Sequence, residues 1–165
     1  LEKIAINPLT EEAFSSFGEV IDLAKADNFE INNGMCTRFN DLATVELGGK
    51  DARPLVNIFR GKPYELPLNL KMVERHPLGS QAFIPMAKRP FLVIVAPDQD
   101  GVPGTPQAFL TRPSQGINIG QNVWHGVLTT LGEISDFVVV DRGGRGNNLE
   151  EHFFDGDGYL VDFID

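Results

Sequence analysis

Apolar residues in this chain come in short runs that alternate with polar ones, and prolines and glycines interrupt them before any run grows long. That pattern predicts strands at Lys3 to Asn7, Glu19 to Asp22 and Cys36 to Leu47, the last after a turn at Ile31-Asn32-Asn33-Gly34. Leu55 to Arg60 follows, apolar enough to be expected buried on both faces at its centre. Leu70 to His76, Gln81 to Pro85, Gln107 to Leu110, Ile117 to Ile119, Val127 to Leu131 and Ile134 to Asp141 read as further short strands. Phe91 to Ala96 is the strongest of all, an unbroken run of β-branched and aromatic side chains ended by Pro97. One helix is expected, capped by Thr10, begun by Glu11 and Glu12 and stopped by Gly18. Asp98 to Pro106 has the make-up of an exposed loop, and Leu149 to Phe153 that of a helical turn. About nine or ten short strands with one small N-terminal helix define an all-β chain, a sandwich or a barrel closed on itself.

The length of 165 residues suits a single domain, residues 1–165, with one core and no need of disulfides or metals to fold. Eleven prolines and seventeen glycines, scattered along the chain, fit a turn-rich β architecture better than a helix bundle. The net charge of −9 is spread over the sequence, which disfavours nucleic acid or an anionic membrane surface as partner. No apolar stretch is long enough to span a bilayer as a helix. The start at Leu1, without Met or a basic-then-apolar leader, leads us to expect no signal peptide. A single cysteine, Cys36, excludes an intrachain disulfide, suits a reducing cytoplasm and is expected to be buried apolar filler.

Chemistry concentrates between Glu74 and Pro85. On a strand, Glu74 and His76 share a face and Arg75 points away; Pro77 and Gly79 then turn the chain so that Gln81 can return facing the same pocket. Two histidines and a carboxylate form a recognised divalent-metal set once His125, within Gly120-Gln121-Asn122-Val123-Trp124-His125, is added. The spacing Glu-x-His-x4-Gln is similar to the first cupin motif, and the His125 segment is similar to the second. More closely, Ile31 to Gly34, Glu74 to Met86, Asn122 to His125 and Asp136 to Gly144 together resemble the ureidoglycolate lyases, formerly called hydrolases.

That resemblance implies a cupin-type jelly-roll β-barrel, a homodimer, and elimination of urea from ureidoglycolate to give glyoxylate in the degradation of purines through allantoin. It implies catalytic roles for Glu74, His76 and His125. It also implies a metal site of Glu74, His76, Gln81 and His125, for nickel, manganese or zinc. As a neutral amide, Gln81 is a weak ligand, so the metal would be loosely held, or Gln81 would bind substrate instead. Arginine has the planar fork that suits the substrate carboxylate, and Arg38 and Arg60 are the candidates. Asn118 could present its amide to the ureido group, and the Trp124 indole could floor the pocket and donate a hydrogen bond. The reaction needs a proton removed from the hydroxyl and one delivered to the departing nitrogen, and the sequence does not choose which histidine does which. Two other readings stay open: an amidohydrolase releasing ammonia and carbon dioxide, and a non-catalytic cupin-type binding or dimerisation module. A metal-dependent sugar isomerase on the same barrel would want stronger ligands than Gln81.

Overall fold

The computed structural model describes residues 1–24 and 26–164, and two curled sheets carry nearly all of the regular structure. The larger sheet runs, from one edge to the other, through Glu150–Phe153, Met72–Arg75, Trp124–His125, Phe91–Ala96, Gln107–Leu110, Glu2–Pro8, Tyr159–Asp162 and Leu68–Leu70. Thr129–Thr130 also pairs with Phe91–Ala96. Glu2–Pro8 is parallel to both of its neighbours, which ties the N-terminal strand to the C-terminal one. The smaller sheet is antiparallel, in the order Gly18–Ile21, Gly116–Ile119, Gln81–Pro85, Ser135–Gly143, Arg53–Gly61.

The two sheets face each other across a shared core. Alternation sends Phe91, Val93 and Val95 of the larger sheet and Phe83, Phe137 and Val139 of the smaller one into it. Phe14 and Phe17 pack against it from the short helix segment. Leu92, Ile94 and Ala96, on the other face of the same central strand, help build a second cluster with Ile4, Val73 and Val161. This two-sided burial is why the Phe91–Ala96 stretch has no polar alternation to show. Each fully buried Phe or Val side chain contributes roughly 1.5–3 kcal/mol, so this strand anchors both halves.

The helix is shorter than its sequence suggests. Thr10 does cap it, its Oγ1 accepting from the Ala13 N–H at 3.1 Å, but the α-helix covers only Glu11–Phe14. Gly18 instead opens a strand, at φ +156°, where a Cβ would collide with the Asn118 carbonyl oxygen.

Other expectations also change. Leu149 to Phe153 is not a helical turn: Glu150–Phe153 pairs with Met72–Arg75, with Arg75 bonded to Glu150. Leu55 to Arg60 is not buried on both faces, because Arg53–Gly61 is an edge strand whose Val56 and Ile58 are 77% and 58% exposed. The Cys36 strand ends at Phe39, within a hairpin with Asn28–Ile31, and Cys36 is exposed and fills no core. Val127 to Leu131 shrinks to Thr129–Thr130, the Asp98 to Pro106 loop contains a small hairpin, and Trp124–His125 forms an unforeseen strand.

Arg142 closes the end of the barrel nearest the Glu74 motif. Its buried guanidinium makes no ion pair among the described residues and donates instead to backbone carbonyls: Gly48 at 2.6 Å, Arg145 at 2.7 Å and Lys50 at 3.4 Å. Gly79 passes so close to the Arg142 side chain that a Cβ there would lie 2.7 Å from its Cβ. The turn after His76 is thereby fixed by close packing.

Candidate active site

In the antiparallel ladder Glu74 stands opposite His125, and on its other side opposite Glu151. Cross-strand partners share a face, so strand alternation alone brings the Glu74 carboxylate to the His125 imidazole. His76, just past the strand end, completes the group: its ring centroid is 5.1 Å from that of His125. The ligand atoms of Glu74, His76 and His125 all lie within 4.8 Å of one another.

Arg75 and Trp124 project to the opposite face. There the guanidinium stacks 4.2 Å from the indole and pairs with Asp98 and Glu150, while Trp124 Nε1 donates to Asp98 Oδ1 at 2.9 Å. Trp124 is thus part of the second apolar cluster and does not floor the pocket that holds its neighbour. Any residue adjacent to an inward-facing His125 must face outward.

Gln81 approaches from the smaller sheet. Its Oε1 faces His76 Nε2 at 3.2 Å and its Nε2 donates to Asp141 Oδ2 at 3.3 Å. His76 Nδ1 donates to the Asn148 carbonyl at 2.9 Å. Each ring nitrogen of His76 therefore faces an oxygen acceptor. His125 is the contrary case. Its Nδ1 donates to the Gly126 carbonyl at 2.8 Å, leaving Nε2 as a lone pair, and that atom is buried with no hydrogen-bond partner among the described residues. Burial, with a smaller contribution from His76, pushes the His125 imidazole down to about 4, so the ring is neutral near pH 7. Burial raises the Glu74 carboxyl above its ordinary value; His76 opposes the rise and Glu151 adds to it.

A cavity of about 850 Å³ opens beside this group. Glu74 and Gln81 line it, with Phe59 and Phe83 as apolar wall and Arg60, Lys62 and Tyr64 at the rim. Arg60 is already held by Asp136 through a two-pronged pair of 2.8 and 3.0 Å. Lys62 has no ion-pair partner among the described salt bridges. Arg38 lies elsewhere, exposed on the outer hairpin with its guanidinium over Phe29. Asn118 is buried on the other face of the smaller sheet and donates to Glu19 Oε1 and the Thr44 carbonyl. Because Ile117 and Ile119 face the core, the residue between them cannot.

The structure therefore brings Glu74, His76, Gln81 and His125 together, leaves Arg38, Asn118 and Trp124 outside the cavity, and turns the Arg60 side chain to the outer face of the smaller sheet, the face of Val56 and Ile58, although its strand borders the cavity. Sequence reasoning missed Lys62, Glu151, Asp141 and Asn57, whose Nδ2 donates to Asp141 Oδ1 at 2.9 Å. Asp141 had a signal, as the polar end of the alternating Ile134 to Asp141 strand; Glu151 had none once its segment was read as helical. His152 is half-buried, edge-on to Trp124 and Phe154.

Paired curled sheets that gather two imidazoles and a carboxylate are an architecture of the cupin type. A family model described as ureidoglycolate lyase matches residues 1–161. The chain is 60% identical over 154 residues to a ureidoglycolate lyase of Chelativorans sp., covering 93% of each chain. It is 60% identical to ureidoglycolate lyase 2 of Rhizobium meliloti, over 92% of this chain and 93% of that one. A ureidoglycolate lyase of Brucella melitensis is 50% identical over 98% of this chain and 96% of its own. The chain belongs to the ureidoglycolate lyase family. A dTDP sugar isomerase from Desulfovibrio desulfuricans G20 superimposes with a TM-score of 0.47 at 14% identity, over 84% of this chain and 85% of that one, too distant to bear on the site.

Proposed function

We propose that this protein eliminates urea from ureidoglycolate to leave glyoxylate, with the cavity beside Glu74 as the reaction chamber. The observation that carries the reading is the meeting of Glu74, His76 and His125 within 4.8 Å, in a chain whose relatives are named for this reaction. Glu74 lines the cavity, and a carboxylate whose proton affinity is raised by burial suits acceptance of the hydroxyl proton as the carbon–nitrogen bond breaks. His76, whose Nε2 faces the Gln81 amide oxygen, is positioned as the N–H donor for the departing urea nitrogen. His125, neutral and buried, has an unused Nε2 lone pair in the same group, whose ligand atoms lie within 4.8 Å of one another. Lys62 is the cation free to hold the substrate carboxylate, since Arg60 is paired with Asp136 on the outer face of its strand.

The donor set also fits a divalent cation such as nickel, manganese or zinc, because the orphaned His125 Nε2 is the kind of buried atom that a ligated ion satisfies. Glu74, His125 and His76 would hold it, His76 through an Nε2 freed of its proton and of its contact with Gln81, and Gln81 Oε1 would be a weak fourth donor. Such an ion would supply acidification of the substrate hydroxyl.

Purified protein given ureidoglycolate without urease should release urea and glyoxylate in equal amounts. Ammonia as the first nitrogen product would instead establish an amidohydrolase, and no turnover with no ligand-induced thermal shift would establish a silent fold. We expect a homodimer working in the cytoplasm. The exposed apolar face of Val56, Ile58 and Ile84 supports association, and light scattering that gives an 18.2 kDa species would contradict it. No helix among the described residues is long and apolar enough to cross a membrane.

A further inference from the structure

Gln81 has two ends of nearly the same shape and opposite chemistry, and the site works differently according to which one faces it. An amide nitrogen turned toward Glu74, His76 and His125 would repel a cation and oppose an N–H of His76; an amide oxygen would offer a lone pair to either. The surrounding hydrogen bonds select between them. They start from a group with no ambiguity, the Val139 carbonyl, which can only accept. Asn57 Nδ2 lies 3.3 Å from it, so the Asn57 amide is oriented nitrogen-inward. The same nitrogen donates to Asp141 Oδ1 at 2.9 Å, which fixes that carboxylate. The other oxygen of Asp141 stands 3.3 Å from Gln81 Nε2 and, as an acceptor only, holds the nitrogen end. Gln81 Oε1 is left facing His76 Nε2 at 3.2 Å.

Two further observations set Asp141 apart from an ordinary strand-end carboxylate. It is half-buried and forms no ion pair among the described residues, although Arg142 is its neighbour in sequence. Arg142 is committed to three backbone carbonyls, so the acceptor capacity of Asp141 goes to two side-chain amides. Gln81 itself is buried, with little freedom to reorient without breaking both of its contacts.

We propose that Asp141 is a positioning residue which, through Gln81, keeps an oxygen and not an amide nitrogen turned toward the Glu74–His76–His125 group. The proposal rests on that group being the reaction centre. It assigns Gln81 as the fixed acceptor of the site, matched to an N–H on His76 or to a bound cation.

The test combines a kinetic cycle with a spectroscopic reading. Asp141→Asn can donate as well as accept, so the lock on Gln81 is lost while side-chain volume is kept. Urea release should fall about tenfold in kcat with KM within about twofold. In a Gln81→Ala background the same substitution should change kcat by less than about twofold, because the residue through which Asp141 acts is gone. A full-sized loss persisting in that background would overturn the proposal. Independently of activity, one side-chain amide proton of Gln81, identified by its absence from Gln81→Ala, should be shifted downfield and exchange slowly in the wild-type protein. In Asp141→Asn it should move toward the position of a free amide. A wild-type Gln81 amide that exchanges as fast as an exposed glutamine would overturn the assignment even if Asp141→Asn did not fold. If wild type released no urea, the function proposed above would fail, and the amide spectrum would still decide whether Asp141 orients Gln81.

Discussion

Replacing His125 by asparagine should change how stability depends on pH, because His125 is a buried imidazole that folding keeps neutral. In the folded chain it titrates at about 4, against an ordinary value of 6.5, chiefly because burial disfavours the charged ring. Above pH 6.5 both folded and unfolded states hold the neutral ring, and the group is silent. As pH falls below 6.5 the unfolded chain takes up a proton that the folded chain refuses, so stability declines, and it stops declining below about 4 when both are charged. The interval between 6.5 and about 4 corresponds to roughly 3 kcal/mol. Chemical denaturation of wild type and His125→Asn at pH 7.5, 6, 5 and 4 reads this contribution together with its smaller coupling to His76, the remaining titrating groups being common to both proteins. The substitution costs a fixed amount of packing at every pH. Wild type should nonetheless lose about 3 kcal/mol more than the variant between pH 7 and pH 4. Parallel pH profiles would show that His125 is not a buried neutral base and would refute the reasoning.

Glu74→Gln should lower urea release by about 10²–10⁴-fold and leave the fold intact, since burial already disfavours the charge it removes; melting temperature and kcat report the two effects. Lys62→Ala should raise KM by about tenfold or more with a smaller change in kcat, whereas Arg38→Ala on the distant hairpin should leave kcat/KM within about twofold; equal effects would place the carboxylate elsewhere. Arg142→Met should destabilise the protein by about 3 kcal/mol or more, because three backbone carbonyls lose a charged donor; an unchanged denaturation midpoint would contradict the clamp.

Much of this site was legible because strand geometry is so regular. The Glu74-x-His76 spacing implies one face, the intervening Pro77 and Gly79 imply a return, and Gln81 arrives where that return requires. The same rule, applied further, settles Trp124 and Asn118: each lies next to an inward-facing residue and so must face the other way. Arg38 falls outside the cavity for a different reason. Its strand belongs to an outer hairpin, and nothing in local alternation tells a hairpin from a barrel strand. The Asn57–Asp141–Gln81 chain depends on the pairing of Arg53–Gly61, Ser135–Gly143 and Gln81–Pro85, three segments far apart in sequence, and becomes visible only once that pairing is known. Of the fold, the central Phe91–Ala96 strand was plain. The exposed edge of Arg53–Gly61 was not, because apolar Val56 and Ile58 look the same in sequence whether covered or bare.

The most direct measurement is urea and glyoxylate production from ureidoglycolate by wild type and His125→Ala, each assayed as purified and after exhaustive chelation and dialysis. We expect equimolar urea and glyoxylate from the wild-type protein and loss of both from His125→Ala at unchanged circular dichroism. Wild-type turnover retained by folded His125→Ala would remove that imidazole from the chemistry and contradict the site described above.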